Sequence, residues 1–464
     1  MRILALALVA GCGGSHAAPD AAPTPDAALD AAPDAIDATP PGAITCNMPG
    51  NAGSAATCDY VLYPNSTYAL GSGSGSNNDL PAFTPPTNAT PRGDADPCIR
   101  TEPSGSTLYM TYTLAQGGPL DTELAYSSDG GAHWSYAGAI WPGTPSVADP
   151  YTGTGTGVIN SETSNLAFRT LASGGEVVYG IHSVYWSDAS GQDHHTARLA
   201  ITESALPASP TPAQIHAALA AATEGNANVA SIMGYKETAV PTTGLVDLWT
   251  AGNAQGNVDD CIWFHEPSLY WQDSDQTLYL LVQCESATDQ RIVVFGTPTP
   301  GTESTPDAAA WSWSYAGAFL HASDAVDTAL AYDLPAVAAE SPYFTQGDIA
   351  TARDGSLVYL ASLVHLDAME EVRSGIVIAS IGQLTAPSAL TASTTMTAGA
   401  PPYRDFLELE LQNVDGGDDM KGPGSSTYDP GLAIGVVYAG RTYPGLPGVT
   451  GFETELFSFP GVSP

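Results

Sequence analysis

The sequence predicts an all-β chain built as a five-bladed β-propeller, and three observations predict it. Composition is the first: 48 Gly, 37 Pro and 21 Tyr accompany charged residues that make up only 13% of the chain, with little helical periodicity. The second is a hexapeptide that recurs unchanged, Trp134-Ser135-Tyr136-Ala137-Gly138-Ala139 and Trp313-Ser314-Tyr315-Ala316-Gly317-Ala318, 179 residues apart. The third is that Asp96-Pro97 has a counterpart in Glu266-Pro267, 170 residues further on. These offsets leave room for one unit between the two, so a unit takes about 85–90 residues and a body of about 420 residues holds five. A six-bladed ring is the alternative.

In chain order, Met1-Arg2 and the apolar run Ile3 to Ala10 read as a secretory signal over residues 1–11, too short for a membrane span. Its end, Val9-Ala10-Gly11-Cys12, resembles a bacterial lipobox, which implies lipidation of Cys12 and attachment to the cell envelope, at the outer membrane, through that lipid only. Residues 12–43, dominated by Ala, Pro and Asp, cannot bury enough apolar area to offset their ordering entropy and read as an extended tether. Residues 44–464 form the propeller domain. Tyr60-Val61-Leu62-Tyr63 is a strand that could close the ring.

Blade one runs from Asp96 through Leu108–Thr113 and Thr122–Ser127 to Ser127-Ser128-Asp129-Gly130-Gly131-Ala132-His133-Trp134, a Ser-x-Asp-x-Gly-x-x-Trp turn. Side chains of Ser and Asp can bond the turn's backbone N–H groups there, Gly supplies positive φ, and Trp covers the blade. Blade two starts near Asn160-Ser161-Glu162, blade three at Cys261-Ile262-Trp263, blade four at Glu340-Ser341-Pro342 and blade five at Gly422-Pro423-Gly424-Ser425. Thr211 followed by Pro212 predicts one helix, Ala213 to Thr223, in an insertion between blades.

Net charge is −37, which excludes nucleic acid and anionic surfaces as natural partners. Of six cysteines, Cys261 and Cys284 flank a hairpin and are placed for a disulfide in an oxidising compartment; Cys46 and Cys58 could close a small loop, leaving Cys98 unpaired. No cofactor is implied. Asp415-Gly416-Gly417-Asp418-Asp419 reads as an exposed acidic loop or, alternatively, a structural calcium site.

Innermost propeller strands begin at the mouth of the central channel, so chemistry is sought at the blade starts. They carry Asp96, Glu162, His265-Glu266, Glu340 and Ser425-Ser426. Carboxylates from separate blades suit glycoside hydrolysis, which needs an ionised base, a protonated acid and a group that adjusts the acid. The blade starts resemble the five-bladed propellers of glycoside hydrolase family 43. That resemblance implies Asp96 as base, Glu266 in place of the adjusting Asp, and Glu340 as acid, with carbohydrate of arabinosyl or xylosyl type as substrate and a monomer as the working unit. His265, Trp263, Tyr343 and Ser425 would bind substrate; Tyr185, Trp186 and Trp271 are aromatic residues that could stack on sugar or pack between blades. The Ser127–Trp134 turn resembles the Asp-box of sialidases, which keeps an exo-sialidase reading open. The last-blade Gly-His-Ser element of the family is Gly424-Ser425-Ser426 here, and the lost His keeps open a propeller that binds glycan or protein without catalysis.

Overall fold

The computed structural model describes residues 92–432 apart from short internal segments, of which 385–402 and 409–422 are the longest, together with the backbone of short strands on either side. Residues 1–43, the side chains of Cys46 and Cys58, His133 and the Asp415–Asp419 loop lie outside the described residues.

Three two-residue strands, β1 (Thr45–Cys46), β2 (Ala56–Thr57) and β3 (Val61–Leu62), precede the ring. Blade I is β4 (Arg92–Thr101), β5 (Leu108–Gln116), β6 (Asp121–Ser127) and β7 (Ser135–Trp141). After β8 (Thr144–Val147), blade II is β9 (Gly157–Thr170), β10 (Glu176–Asp188), β11 (Arg198–Leu206) and β12 (Val229–Met233). Blade III is β13 (Trp263–Gln272), β14 (Thr277–Glu285), β15 (Arg291–Pro298) and β16 (Ser314–Phe319); blade IV is β17 (Tyr343–Thr351), β18 (Leu357–Asp367), β19 (Glu370–Ile381) and β20 (Tyr403–Glu408). Blade V is β21 (Pro423–Thr427), β22 (Val437–Gly440) and β23 (Gly451–Ser458), with β3 paired to β23 on its outer edge. Within each blade the strands pair antiparallel, and β23 also meets the start of β4 in a short parallel pairing.

The first strands of the blades touch in a closed cycle, β4 to β9 to β13 to β17 to β21 and back to β4. This closure makes the ring five-bladed. The repeated hexapeptide falls on the fourth strands of blades I and III, with Trp134 and Trp313 both buried.

Alternation explains why the middle strands are apolar throughout. On β14, Leu278, Leu280 and Val282 enter the core shared with blade II, whereas Tyr279 and Leu281 enter the one shared with blade IV. A strand packed on both faces has no solvent side, so its sequence loses the polar half of the period. The disulfide joins Cys261, just before β13, to Cys284 on β14. In the β6–β7 turn the Ser127 hydroxyl donates to Asp129 and accepts the Gly131 N–H at 2.9 Å, Gly131 has φ 90°, and Trp134 packs under the turn with Leu432.

The predicted helix is α1 (Pro212–Ala220), capped by Thr211 and Gln214 in a reciprocal box. It lies inside blade II, between β11 and β12, and not between blades as expected; in space it leans on blade I, where Trp141 Nε1 donates to the Leu219 carbonyl at 3.2 Å. Two helices were not anticipated, α2 (Ala322–Ala331) and α3 (Pro335–Ala339), on the link from β16 to β17.

Several carboxyls are sealed inside the fold. Glu123 on β6 and Glu203 on β11 are buried, and desolvation pushes each up to about 7. An unfolded glutamate titrates near about 4.3, so between these limits the folded state binds more protons and stability falls as pH rises. Buried His182, pushed down to about 3, opposes this below its ordinary range, one imidazole against several carboxyls. The expected result is a Tm several degrees lower at about pH 8 than at about pH 5.5, with the slope reduced in Glu203→Gln. A Tm flat or rising across that window contradicts this account of the core.

Candidate active site

One irregularity repeats around the channel. In every first strand the pairing with the second strand skips two residues against one: after Ala95, after Glu162, after His265, after Thr345 and after Pro423. Such a bulge turns side chains out of the ladder. Four of the five first strands hold a non-glycine residue at positive φ there: Asp96 (53°), Thr163 (49°), Glu266 (50°) and Gln346 (52°). Backbone in that region costs about 1 kcal/mol or more per residue and is retained where a site demands it.

Asp96 and Glu266 at the bulges of blades I and III, and Glu162 immediately before the bulge of blade II, are three carboxyls coupled to one another. Asp96 is gripped at both oxygens: Ser425 Oγ donates to Oδ1 at 2.6 Å and Thr113 Oγ1 donates to Oδ2 at 3.0 Å. The Thr163 N–H donates to Thr113 Oγ1 at 3.1 Å, which leaves the threonine proton pointing at Asp96. Both Asp96 oxygens therefore act as acceptors, as those of a carboxylate anion do. Glu162 is buried between its neighbours and is held well above the usual carboxylate range, first by desolvation and then by the charges of Asp96 and Glu266; a hydrogen bond from Tyr185 offsets part of this. Glu266 is partly exposed. His265 sits with Nδ1 3.8 Å from Glu266 and Nε2 3.9 Å from Glu285, stacked on Trp263 at 4.3 Å.

Beneath the carboxylates one residue from each blade closes the axis. Asp348 of blade IV accepts from Arg100 Nη2 at 2.5 Å and Nη1 at 2.8 Å, Asn165 Nδ2 at 2.9 Å, Ser268 Oγ at 2.8 Å and Thr427 Oγ1 at 2.6 Å. Arg100, Asn165, Ser268 and Thr427 belong to blades I, II, III and V. The guanidinium is thus fully committed below the site.

Asp96 and Glu266 are brought together as expected, and Glu162 joins them. Glu340 is not: it is exposed at the C-terminal cap of α3, three residues before β17, and is not among the charges acting on Glu162. The position on blade IV that matches Asp96 is Gln346. Ser425 is spent on Asp96, and Trp263 and Tyr343 are buried side chains, the first against His265. Trp271 lies at the far end of β13 in the core, with Arg169 4.9 Å above its ring, and is no platform at the mouth. The Asp348 network had no sequence signal beyond a polar residue two places after the bulge residue in blades II, III and IV. Among the described residues the one cluster with metal-ligand geometry is Asp260, Cys261 and Cys284, whose sulfurs are joined to each other.

No protein-family model and no curated sequence matches the chain. Solved structures do resemble it. An α-L-arabinofuranosidase from Lactobacillus brevis is 11% identical over 78% of this chain and 90% of that one, with a TM-score of 0.37. A Bacillus subtilis arabinanase is 12% identical over 79% of this chain and 93% of its own, TM-score 0.36. An endo-arabinase from Bacteroides thetaiotaomicron is 12% identical over 81% of this chain and 97% of that one, TM-score 0.37. Similarity at this level concerns the fold, and the chemistry rests on the residues described above.

Proposed function

We propose that the chain is a glycoside hydrolase whose active site is the carboxylate ring of Asp96, Glu162 and Glu266. The observation that carries it is the convergence of three carboxyls from three successive blades, one of them kept protonated by burial and by its two neighbours. Separating protonation states among adjacent carboxyls supplies the acid and the base that glycosidic cleavage needs. Asp96, accepting at both oxygens, takes a proton from water, whose oxygen attacks the anomeric carbon. Glu162 and Glu266 share the second proton, and Glu266, the more open of the two, delivers it to the departing oxygen. Glu162, sealed between Asp96 and Glu266, holds that proton at rest, because ionising it would place a third charge beside theirs.

The substrate class is an uncharged glycan side chain of arabinosyl or xylosyl type, and the lipid on Cys12 with the 12–43 tether would present the propeller outside the cell as a monomer. Among the described residues the arginines are engaged elsewhere, Arg100 with Asp348, Arg169 with the Trp271 ring, Arg198 with Glu224, Arg291 with Asp260 and Arg353 with the Leu432 carbonyl. That disfavours a sialidase, which needs arginines to bind a carboxylate. The test is hydrolysis of an arabinosyl, xylosyl, galactosyl and sialyl panel by protein starting at Ala43, beside Asp96→Asn. Cleavage of a neutral class that disappears in the variant supports the reading; glycan binding without cleavage by either protein replaces it with a binding module.

A further inference from the structure

His265 stands just before the bulge of β13 with a carboxyl at each ring nitrogen: Nδ1 lies 3.8 Å from Glu266 Oε1, and Nε2 lies 3.9 Å from Glu285 Oε2. Glu285 is outside the trio of Asp96, Glu162 and Glu266. It ends β14 opposite Trp263 in the ladder, while His265 is opposite Gln283, so these four side chains share one face of the β13–β14 pair. The Gln283 carboxamide is taken by Thr345 of β17 and by Gln290. Glu285 is fixed by its surroundings: its backbone carbonyl accepts the Ile262 N–H at 2.8 Å, and Cys284 beside it is bridged to Cys261. The imidazole is fixed too, stacked on Trp263 at 4.3 Å with the planes 26° apart. Both His265 and Glu285 are buried, and a buried carboxylate persists where a cation faces it. A neutral ring would turn a lone pair on one of its two carboxyls, whereas an imidazolium presents an N–H to each.

We propose that Glu285 is a positioning residue that holds the His265 imidazolium by Nε2 and turns its Nδ1–H to the Glu266 carboxylate. The inference rests on Glu162 and Glu266 as the pair that supplies the acid in hydrolysis. A cation on the Glu266 side, and none on the other, decides between the two: Glu266 carries the charge at rest and Glu162 the proton. Groups around the ring are Glu285 from β14 and Glu266 on its own strand, with Asp96 from β4, Glu162 from β9 and its partner Tyr185 from β10 beyond Glu266. On the blade IV side β17 brings the uncharged Thr345, and Tyr235 pairs with Trp263 ahead of β13. Nearby segments carry Arg291, paired with Asp260, and Lys236, on the Asp259 carbonyl. Exchanging Glu285 for an amide leaves all of these in place.

The experiment is a nitrogen-15 NMR titration of the histidine rings in the full folded chain, with His265→Gln to identify the resonance. In Glu285→Gln the His265 midpoint should fall by about one unit, because the imidazolium loses one of its two anions. Glu285→Asp keeps the charge and should stay closer to wild type. Glu266→Gln removes the other anion and should lower the midpoint as well, and it serves if the Glu285→Gln chain does not fold. A His265 midpoint equal to wild type in either folded glutamine variant overturns the proposal. The titration needs no substrate: lowered midpoints in a protein that cleaves no glycan keep the pair and refute the hydrolase, whereas unchanged midpoints in a working hydrolase refute the pair alone. Where cleavage is measurable, Glu285→Gln should reduce kcat about tenfold with KM within about twofold of wild type, and Glu285→Asp should restore most of it. A raised KM at unchanged kcat would place Glu285 in substrate binding and overturn the positioning role.

Discussion

Glu266→Gln is expected to lower hydrolysis of a glycan with an alkyl leaving group by about a thousandfold, within the range that general acid catalysis supplies. Glutamine keeps the shape and hydrogen-bonding reach of the side chain but has no proton to give. An aryl glycoside whose leaving oxygen departs as a stable anion needs that proton less, and there the loss should shrink to about tenfold. Asp96→Asn behaves differently, because water must be deprotonated whatever the leaving group, so its loss should be similar for both substrates. Glu340→Gln should retain wild-type rates, since that carboxylate is exposed on the rim. Kinetics on the two substrate types decide the matter: a Glu340→Gln defect with leaving-group dependence, and none in Glu266→Gln, would return the acid to α3.

The second large effect concerns stability. Asp348→Ala should cost about 3–5 kcal/mol in denaturant unfolding, because the Arg100 guanidinium, 11% exposed, loses its ion-pair partner and keeps only the weaker influence of Asp429. The same substitution strips an acceptor from Asn165, Ser268 and Thr427 together, so all five blades lose their common contact. Removing both charges is the informative control. Arg100→Met with Asp348→Leu should recover most of the loss, as uncharged residues of similar volume carry no desolvation penalty. A single Asp348→Ala variant within about 1 kcal/mol of wild type would show that the axial pair carries little net free energy.

Much of the fold was legible because the strands and their turns repeat. Duplicated hexapeptides and the Asp-Pro and Glu-Pro pairs marked equivalent edges of blades I and III, and the spacing between them was enough to place blade II. Helices α2 and α3 escaped because their alanine-rich sequence carries no cap of the Thr211 kind; Leu334 precedes α3 with no capping side-chain bond. The same insertion explains why Glu340 does not join the other carboxyls. Glu340-Ser341-Pro342 looks like the start of a strand, and Pro342 does precede one, but the residue that reaches the channel is the bulge position four residues later, Gln346. Asp96 and Glu266 stand out in the sequence because a proline follows each and marks the bulge. Glu162 has no such marker: it is followed by Thr163-Ser164, and its importance comes from burial beside two charges brought from 66 residues upstream and 104 downstream. Asp348 was invisible for the same reason, since its five donors are adjacent only once the ring has closed.

The bulges have a consequence for how such a site can change. Because each first strand breaks its ladder at one place, the residue seated there is held by backbone shape and not by the identity of its side chain. Thr163 and Gln346 occupy sockets of the same build as Asp96 and Glu266, with φ angles of 49° and 52° against 53° and 50°. The ring is therefore a modular dial: exchanging one seated residue rewrites the channel's chemistry at that bearing while the four other blades and the axial lock below stay as they are. A catalytic propeller and an inert one can differ by a single exchange at such a socket, with the scaffold indifferent to which it carries.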